Sequence, residues 1–263
     1  MAIPDGVNLG PLTQEIVSNA SWFCTDDFPS NQAWADDVER VLAHLKTHGQ
    51  FDRFLPRLRG KLTQRDGALA EARVSFLFHR QGFSITSWEP RTASGSLGEF
   101  EIQWKSTSPI LVEVKGPRWE GELDQSERTM RKKEGKYKNG EARTLDTIGK
   151  VIEAIDKAKK QNKFLPGKPN LLVICTSNLF VSPNELSDKI VKPKVETALK
   201  SACLISGVLV LNIICQEMKL RYETLFVTNS TAKQDSKLPL LLEEWLLSTN
   251  NDIQTKRGGA PCL

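Results

Sequence analysis

Apolar residues recur along this chain first at helical spacing and then at strand spacing. From Asn31 to His48, Ala33, Trp34, Val38, Val41, Leu42 and Leu45 predict a helix that closes at Gly49. Residues 51–61 set Phe51, Phe54, Leu55 and Leu58 between Arg53, Arg57, Arg59 and Lys61. That pattern suits a short helix whose arginines meet either nucleic acid or solvent. A second long helix is expected over 66–81, with Leu69, Ala72, Phe76 and Phe78 on its buried side and Gly82 at its end. Strand signals follow at 83–88, 99–105 and 110–115, with 91–98 a turn or flexible loop. A helix over 144–161 carries Leu145, Ile148, Ile152, Ile155 and Ala158 on one face. After it come a buried strand at 171–176, a helix at 184–202 and a second buried strand at 208–215. Two extended segments, 219–222 and 224–228, precede a final helix at 238–247.

This order predicts an α/β fold, a mixed sheet flanked by helices, with an N-terminal helical extension. Residues 1–30 have few periodic apolar positions and read as an extended arm or a loosely packed start. The expected division is an arm and helical extension over 1–60, a main domain over 61–247 and a flexible tail over 248–263.

One strand departs from the apolar pattern. Residues 110–116 read Ile-Leu-Val-Glu-Val-Lys-Gly. Strand side chains alternate, so Glu113, Lys115 and Leu111 share one face while Ile110, Val112 and Val114 take the other. A bare carboxylate and ammonium in so apolar a strand would cost several kcal/mol each unless compensated. A divalent metal with a polar substrate is one such compensation. An acidic residue two positions before Lys occurs four times, at Glu113, Glu134, Glu217 and Asp235. Chance alone gives about that number, so context decides. Glu134 falls in a charge-rich loop, Glu217 just past a strand and Asp235 in a polar linker, leaving Glu113 alone inside a Val/Ile/Leu strand.

Composition narrows the setting without choosing a chemistry. The chain has 263 residues, 39% hydrophobic and 26% charged, with a net charge of +4. No segment approaches the roughly 20 apolar residues that cross a bilayer, so no membrane partner is expected. The opening Met-Ala-Ile-Pro-Asp-Gly lacks a basic region followed by an apolar core, and a cytoplasmic location is expected. Cys24, Cys175, Cys203, Cys215 and Cys262 are odd in number and form no CxxC pair, as for reduced core or tail thiols. His44 and His48 lie four apart on a helix end, but no neighbouring Cys or acidic pattern completes a site. With His79 they are expected to be ordinary surface histidines. Seven basic residues crowd 128–143, among them Lys132, Lys133 and Lys136, against only Glu134 and Glu141. Such a loop suits a phosphate backbone, and equally a solvated surface.

The order of a helix with Glu71, a second strand opening Gly98-Glu99-Phe100-Glu101-Ile102 and a third reading Val112-Glu113-Val114-Lys115-Gly116 resembles the PD-(D/E)xK nuclease superfamily. The resemblance covers about residues 64–177. It implies a restriction-endonuclease-like core: a helix, a three-strand meander, a helix and a further strand. It also implies a site joining an acid on the second strand to Glu-x-Lys on the third. This chain has Gly-Glu where the family usually has Pro-Asp.

By that resemblance Glu99 and Glu113, with the Val114 backbone carbonyl, would hold Mg2+, with Mn2+ as a substitute. Hard oxygen ligands suit such ions. Glu101 is the second choice to Glu99, since alternation puts both on the Glu113 side. Lys115 would assist the attacking water or stabilise charge on phosphorus. Glu71 reads either as a helix-borne ligand or base, or as a surface acid paired with Arg73 or a neighbour. Gln161 ends the long helix where family members often carry a Gln near the site. Arg118 and Trp119 would clamp or stack on a backbone, with core packing the other reading of Trp119. The implied function is a Mg2+-dependent endonuclease hydrolysing nucleic-acid phosphodiesters, DNA favoured over RNA. A homodimer would ease cutting of both strands. The alternative is an inactive module of the same fold that binds nucleic acid or a protein partner.

Overall fold

Leu171 to Cys175 is an unbroken apolar run, and all five residues are buried. A strand of this kind needs cover on both faces. In a computed structural model, which describes residues 6–17, 28–92, 95–96, 98–116, 140–161, 163–177, 191–216 and 219–248, helices supply that cover. The helices are α1 (Pro11–Ile16), α2 (Phe28–Thr47), α3 (Phe51–Leu58), α4 (Leu62–Arg80), α5 (Gly140–Lys160), α6 (Val191–Leu199) and α7 (Leu240–Ser248). The strands are β1 (Ser84–Trp88), β2 (Arg91–Thr92), β3 (Gly95–Ser96), β4 (Phe100–Gln103), β5 (Ile110–Lys115), β6 (Asn170–Ser177), β7 (Gly207–Gln216) and β8 (Lys219–Thr228).

Six strands form one mixed sheet in the order β1-β4-β5-β6-β7-β8. The pairs β1/β4, β4/β5 and β7/β8 are antiparallel, whereas β5/β6 and β6/β7 are parallel. Parallel neighbours need a long crossover, and α5 and α6 lie on the two connections that make them. The sequence of helix, meander, helix and strand runs as α4-β1-β4-β5-α5-β6. The mixed sheet, its flanking helices and the N-terminal helical region therefore agree with the expectation.

The two faces have separate cores. Val38, Leu42, Val74 and Phe78 of α2 and α4 pack with Phe100, Ile102, Val112, Val173 and Leu209. Val151 and Ile155 of α5 and Val195 and Leu199 of α6 pack with Leu172, Ile174, Val208 and Val210. Each such fully buried side chain contributes about 1.5–3 kcal/mol relative to exposure. A polar link crosses the first core. Arg73 Nε donates to Asp37 Oδ2 at 3.0 Å, and Tyr222 Oη donates to Asp37 Oδ1 at 2.6 Å, joining α4, α2 and β8.

Several local expectations change. Residues 11–16 are helical, and Leu12 and Ile16 are buried because they join the first core. The loop at 91–98 contains a two-strand ladder, Arg91 opposite Ser96 and Thr92 opposite Gly95. The segments at 219–222 and 224–228 are one strand, since continuous pairing with β7 runs from Gln216↔Lys219 to Gly207↔Thr228. Cys203 is exposed, unlike the buried thiol of Cys175. The histidines depart most. His44 is buried, and its ring centroid lies 4.4 Å from that of His48 and 5.1 Å from that of His79. The partner absent from the local pattern comes from α4, which packs beside α2. Among the described residues no helix is long and apolar enough to cross a membrane.

Candidate active site

The site forms where β4 and β5 run out beside α4. Phe100 stands opposite Val112 and Glu101 opposite Leu111. Glu99 stands just before these paired residues, its N–H donates to the Val112 carbonyl at 2.7 Å, and it lies close enough to Glu113 for the two carboxylates to repel. Carbonyls two residues apart on a strand point the same way, so the Val114 carbonyl is directed to the β4 side, past that bond.

Two glycines shape this corner. Gly98 has φ +51°, and a Cβ there would meet the Val112 carbonyl and Leu111 Cδ1 at 2.8 Å. Proline, with φ fixed near −65°, has no place at such a position. At Gly116 a Cβ would come within 2.9 Å of Ala70 Cβ, so the glycine lets α4 close onto the end of β5.

Glu113 is fully buried, and its Oε1 accepts a hydrogen bond from Lys115 Nζ at 2.5 Å. Glu113 Oε2 is buried with no hydrogen-bond partner among the described residues. Lys115 Nζ also donates to Gln161 Oε1 at 2.6 Å, so the residue ending α5 holds the lysine from the far side. Glu71 is buried on α4 and takes both guanidinium Nη groups of Arg57, from Nη1 at 2.6 Å and from Nη2. Burial pushes the Glu71 carboxyl up, while the Arg57 guanidinium opposes that rise. Its hydrogen bond with Glu71 in turn raises Arg57.

Burial first, and then the carboxylates of Glu71 and Glu113, push Glu99 up to about 8. Arg57 and Lys163 offset this only in part. Three carboxyl groups thus share a poorly solvated corner, where repulsion adds to the burial that raises Glu71 and Glu99. A divalent cation held there would relieve both that repulsion and the unpartnered oxygen of Glu113. Glu99, Glu113 and the Val114 carbonyl are hard oxygen donors of the kind Mg2+ and Mn2+ take.

Glu71, Glu99, Glu113, Lys115 and Gln161 are brought together. Glu101 lies on the same face but is engaged by Lys168 Nζ at 2.5 Å. Arg73 turns to Asp37, so the partner of Glu71 is Arg57. The α3 arginines meet carboxylates: Arg53 meets Glu89 at 3.1 Å, Arg57 meets Glu71, and Arg59 approaches Glu15 at 3.9 Å. Sequence reasoning missed Arg57 as a site residue, along with Lys163 and Lys168. The turn of α3 that aims Arg57 inward was visible as its spacing with Phe54 and Leu58, but its carboxylate lies 14 residues away. Arg118, Trp119, Lys132, Lys133 and Lys136 lie outside the described residues.

No family pattern matches the chain. No curated protein matches it either. Among solved structures it is similar to SfsA of Pyrococcus furiosus, solved in complex with Ca2+. The identity is 17%, the match covers 65% of each chain and the TM-score is 0.28. The match therefore spans just under two thirds of that protein's length.

Proposed function

We propose that the chain is a metal-dependent nuclease that hydrolyses phosphodiester bonds of nucleic acid, DNA in preference to RNA. The observation that carries this reading is Glu113: buried, bonded to Lys115 through one oxygen, without a partner among the described residues at the other, and close enough to Glu99 for their charges to repel. A buried carboxylate oxygen without a partner is costly unless a ligand completes it. Mg2+ or Mn2+ held by Glu99, Glu113 and the Val114 carbonyl would neutralise charge building on the phosphate oxygens during displacement.

The chain's own groups do the rest. An ammonium has three protons. Lys115 commits two to Glu113 and Gln161, and the third is available to orient the attacking water or stabilise the pentacovalent phosphorus. Gln161 thereby positions Lys115 and has no need to touch the substrate. Glu71, held by Arg57, adds negative potential to the corner and favours a cation there; Glu101, committed to Lys168, takes no part. The basic residues Arg118, Lys132, Lys133 and Lys136 supply contacts to the nucleic-acid backbone, and a homodimer would present two sites to a duplex.

Incubation of the full chain with plasmid, linear and single-stranded DNA and with RNA, in Mg2+ or Mn2+, tests the reading. Metal-dependent cutting lost in both Glu113→Ala and Lys115→Ala is expected. Binding without cutting in every metal would replace it with a non-hydrolytic nucleic-acid module, and equal cutting by all three proteins would expose a contaminant.

A further inference from the structure

His44, His48 and His79 gather where two helices end side by side, away from the acidic corner. His44 lies in the last turn of α2, His48 one residue past its end, and His79 in the last turn of α4. Glycines at φ +64° and +88°, Gly49 and Gly82, end the two turns. One ligand-type nitrogen from each ring lies within 4.8 Å of the other two. Tetrahedral Zn2+ sites need nitrogens about 3.3–3.4 Å apart at Zn–N near 2.0–2.1 Å. To take one Zn2+ the nitrogens have to draw together by up to about 1.5 Å.

Three features point to a ligand. His44 is only 6% exposed, and its Nε2 is buried without a hydrogen-bond partner among the described residues. His48 Nδ1 lies 2.9 Å from the His44 carbonyl, which accepts its proton. That bond fixes the tautomer and leaves the Nε2 lone pair free to ligate, the arrangement by which outer-shell groups prepare metal-binding histidines. Finally, both helices present their carboxy-terminal ends, the negative poles of their dipoles.

His44 and His79 are also pushed toward the neutral imidazole. Burial, then the adjacent His48 and His79, lowers His44 to about 4; burial and His48 lower His79. Phe76 walls the inner side, its ring centroid 5.6 Å from that of His44, and the Arg80 guanidinium covers that phenyl ring.

We infer that His44, His48 and His79 form a binding site for a late first-row divalent ion of the Zn2+ type, which clasps the end of α2 to the end of α4. Three imidazoles select Zn2+, Co2+, Ni2+ or Cu2+ over Mg2+ and Ca2+, whose preference is for oxygen. Because His79 is exposed, the fourth position opens to water. The acidic corner plays no part in this clasp, so the two sites stand or fall separately.

The test uses the full chain without a histidine tag, stripped of metal and titrated with Zn2+ against a chromophoric chelator. Co2+ absorption reports the coordination geometry. One Zn2+ per chain is expected, in wild type and in Glu113→Gln alike, with no displacement by excess Mg2+. His79→Ala and His48→Ala should each weaken Zn2+ binding by more than about 100-fold, beyond the usual effect of an outer-shell change. They should also remove the rise in Tm that Zn2+ gives the wild type. His79 is exposed, so its variant keeps the test open if His48→Ala folds poorly. Unchanged Zn2+ affinity in His79→Ala, displacement by Mg2+, or no Zn2+ bound by wild type would each overturn the inference.

Discussion

The end of β5 and the paired ends of α2 and α4 each bury one ligand-type atom without a partner among the described residues, Glu113 Oε2 and His44 Nε2. Their surroundings differ in kind. The oxygen sits among carboxyl groups whose repulsion Arg57 and Lys115 relieve in part, so its corner awaits positive charge. The nitrogen sits among imidazole and phenyl rings, where a partner must accept lone pairs and tolerate apolar walls. Orphaned atoms of equal burial therefore call for different ions, because the charge of the neighbours, as much as the donor element, sets the choice.

The strongest way to break this contrast is to cross the two sites. Glu113→Gln should lower Mn2+-dependent DNA cleavage by about 10²–10³-fold or more, the scale of losing one preorganised electrostatic partner. Zn2+ titration of the same protein should be unchanged. Loss of Zn2+ binding in that variant would mean that one ion is shared and the contrast false.

A second cut uses protons. Glu99 at about 8 stands above its ordinary 4.5, so the folded metal-free protein holds a proton that the unfolded chain releases. This contribution to stability is full below pH about 4.5 and is lost as pH rises through about 8. Thermal unfolding should show wild type losing stability relative to Glu99→Gln across that window. At neutral pH, Mg2+ binding should release about one proton per ion, measured by calorimetry in buffers of different ionisation enthalpy, and Glu99→Gln should abolish the release. The proton release that accompanies Zn2+ binding should be the same in Glu99→Gln as in wild type.

Arg57→Ala strips Glu71 of its partner and should destabilise the fold by about 1–3 kcal/mol in urea unfolding, reduced by the partial exposure of the arginine. Adding Glu71→Gln should restore part of the loss. No recovery would mean that the repulsion among Glu71, Glu99 and Glu113 is weaker than described. The smallest effect is expected at the outer pair: Glu101→Gln should change stability by less than about 1 kcal/mol and leave cleavage near wild type. A loss matching that of Glu113→Gln would make Glu101, not Glu99, the second-strand ligand.

Periodicity made the acidic corner readable because its decisive residues share short segments. Alternation put Glu113 and Lys115 on one face of their strand and let Glu99 or Glu101 share it, and the pairing of Glu101 with Leu111 sets Glu101 on that side. What it could not separate was Glu99 from Glu101; that depends on Lys168, which reaches Glu101 across 67 positions. Arg57 and Glu71 pair between two helices whose packing no local pattern encodes. The histidine cluster is the sharper case. His44 and His48 were visible as a helical pair, yet His79 joins them only because α4 packs beside α2, so the trio read as surface residues. The strands show the same boundary. Buried β6 and β7 stood out as apolar runs, while the continuity of β8 emerged only from pairing with its neighbour.

Asn170 has a consequence for the acidic corner that its distance from the chemistry conceals. It stands fully buried at the start of β6, and its amide nitrogen lies 2.8 Å from the Leu165 carbonyl, 2.9 Å from that of Lys168 and 2.8 Å from that of Leu204. The Leu165 N–H reaches back to its Oδ1 at 3.3 Å. The loop cinched in this way carries Lys163 and Lys168 and begins at Gln161, so three side chains that tune the carboxylates hang from one knot. Asn170 thus works as a tailor's stitch: it touches none of the reacting groups, yet it sets how the cloth around them falls.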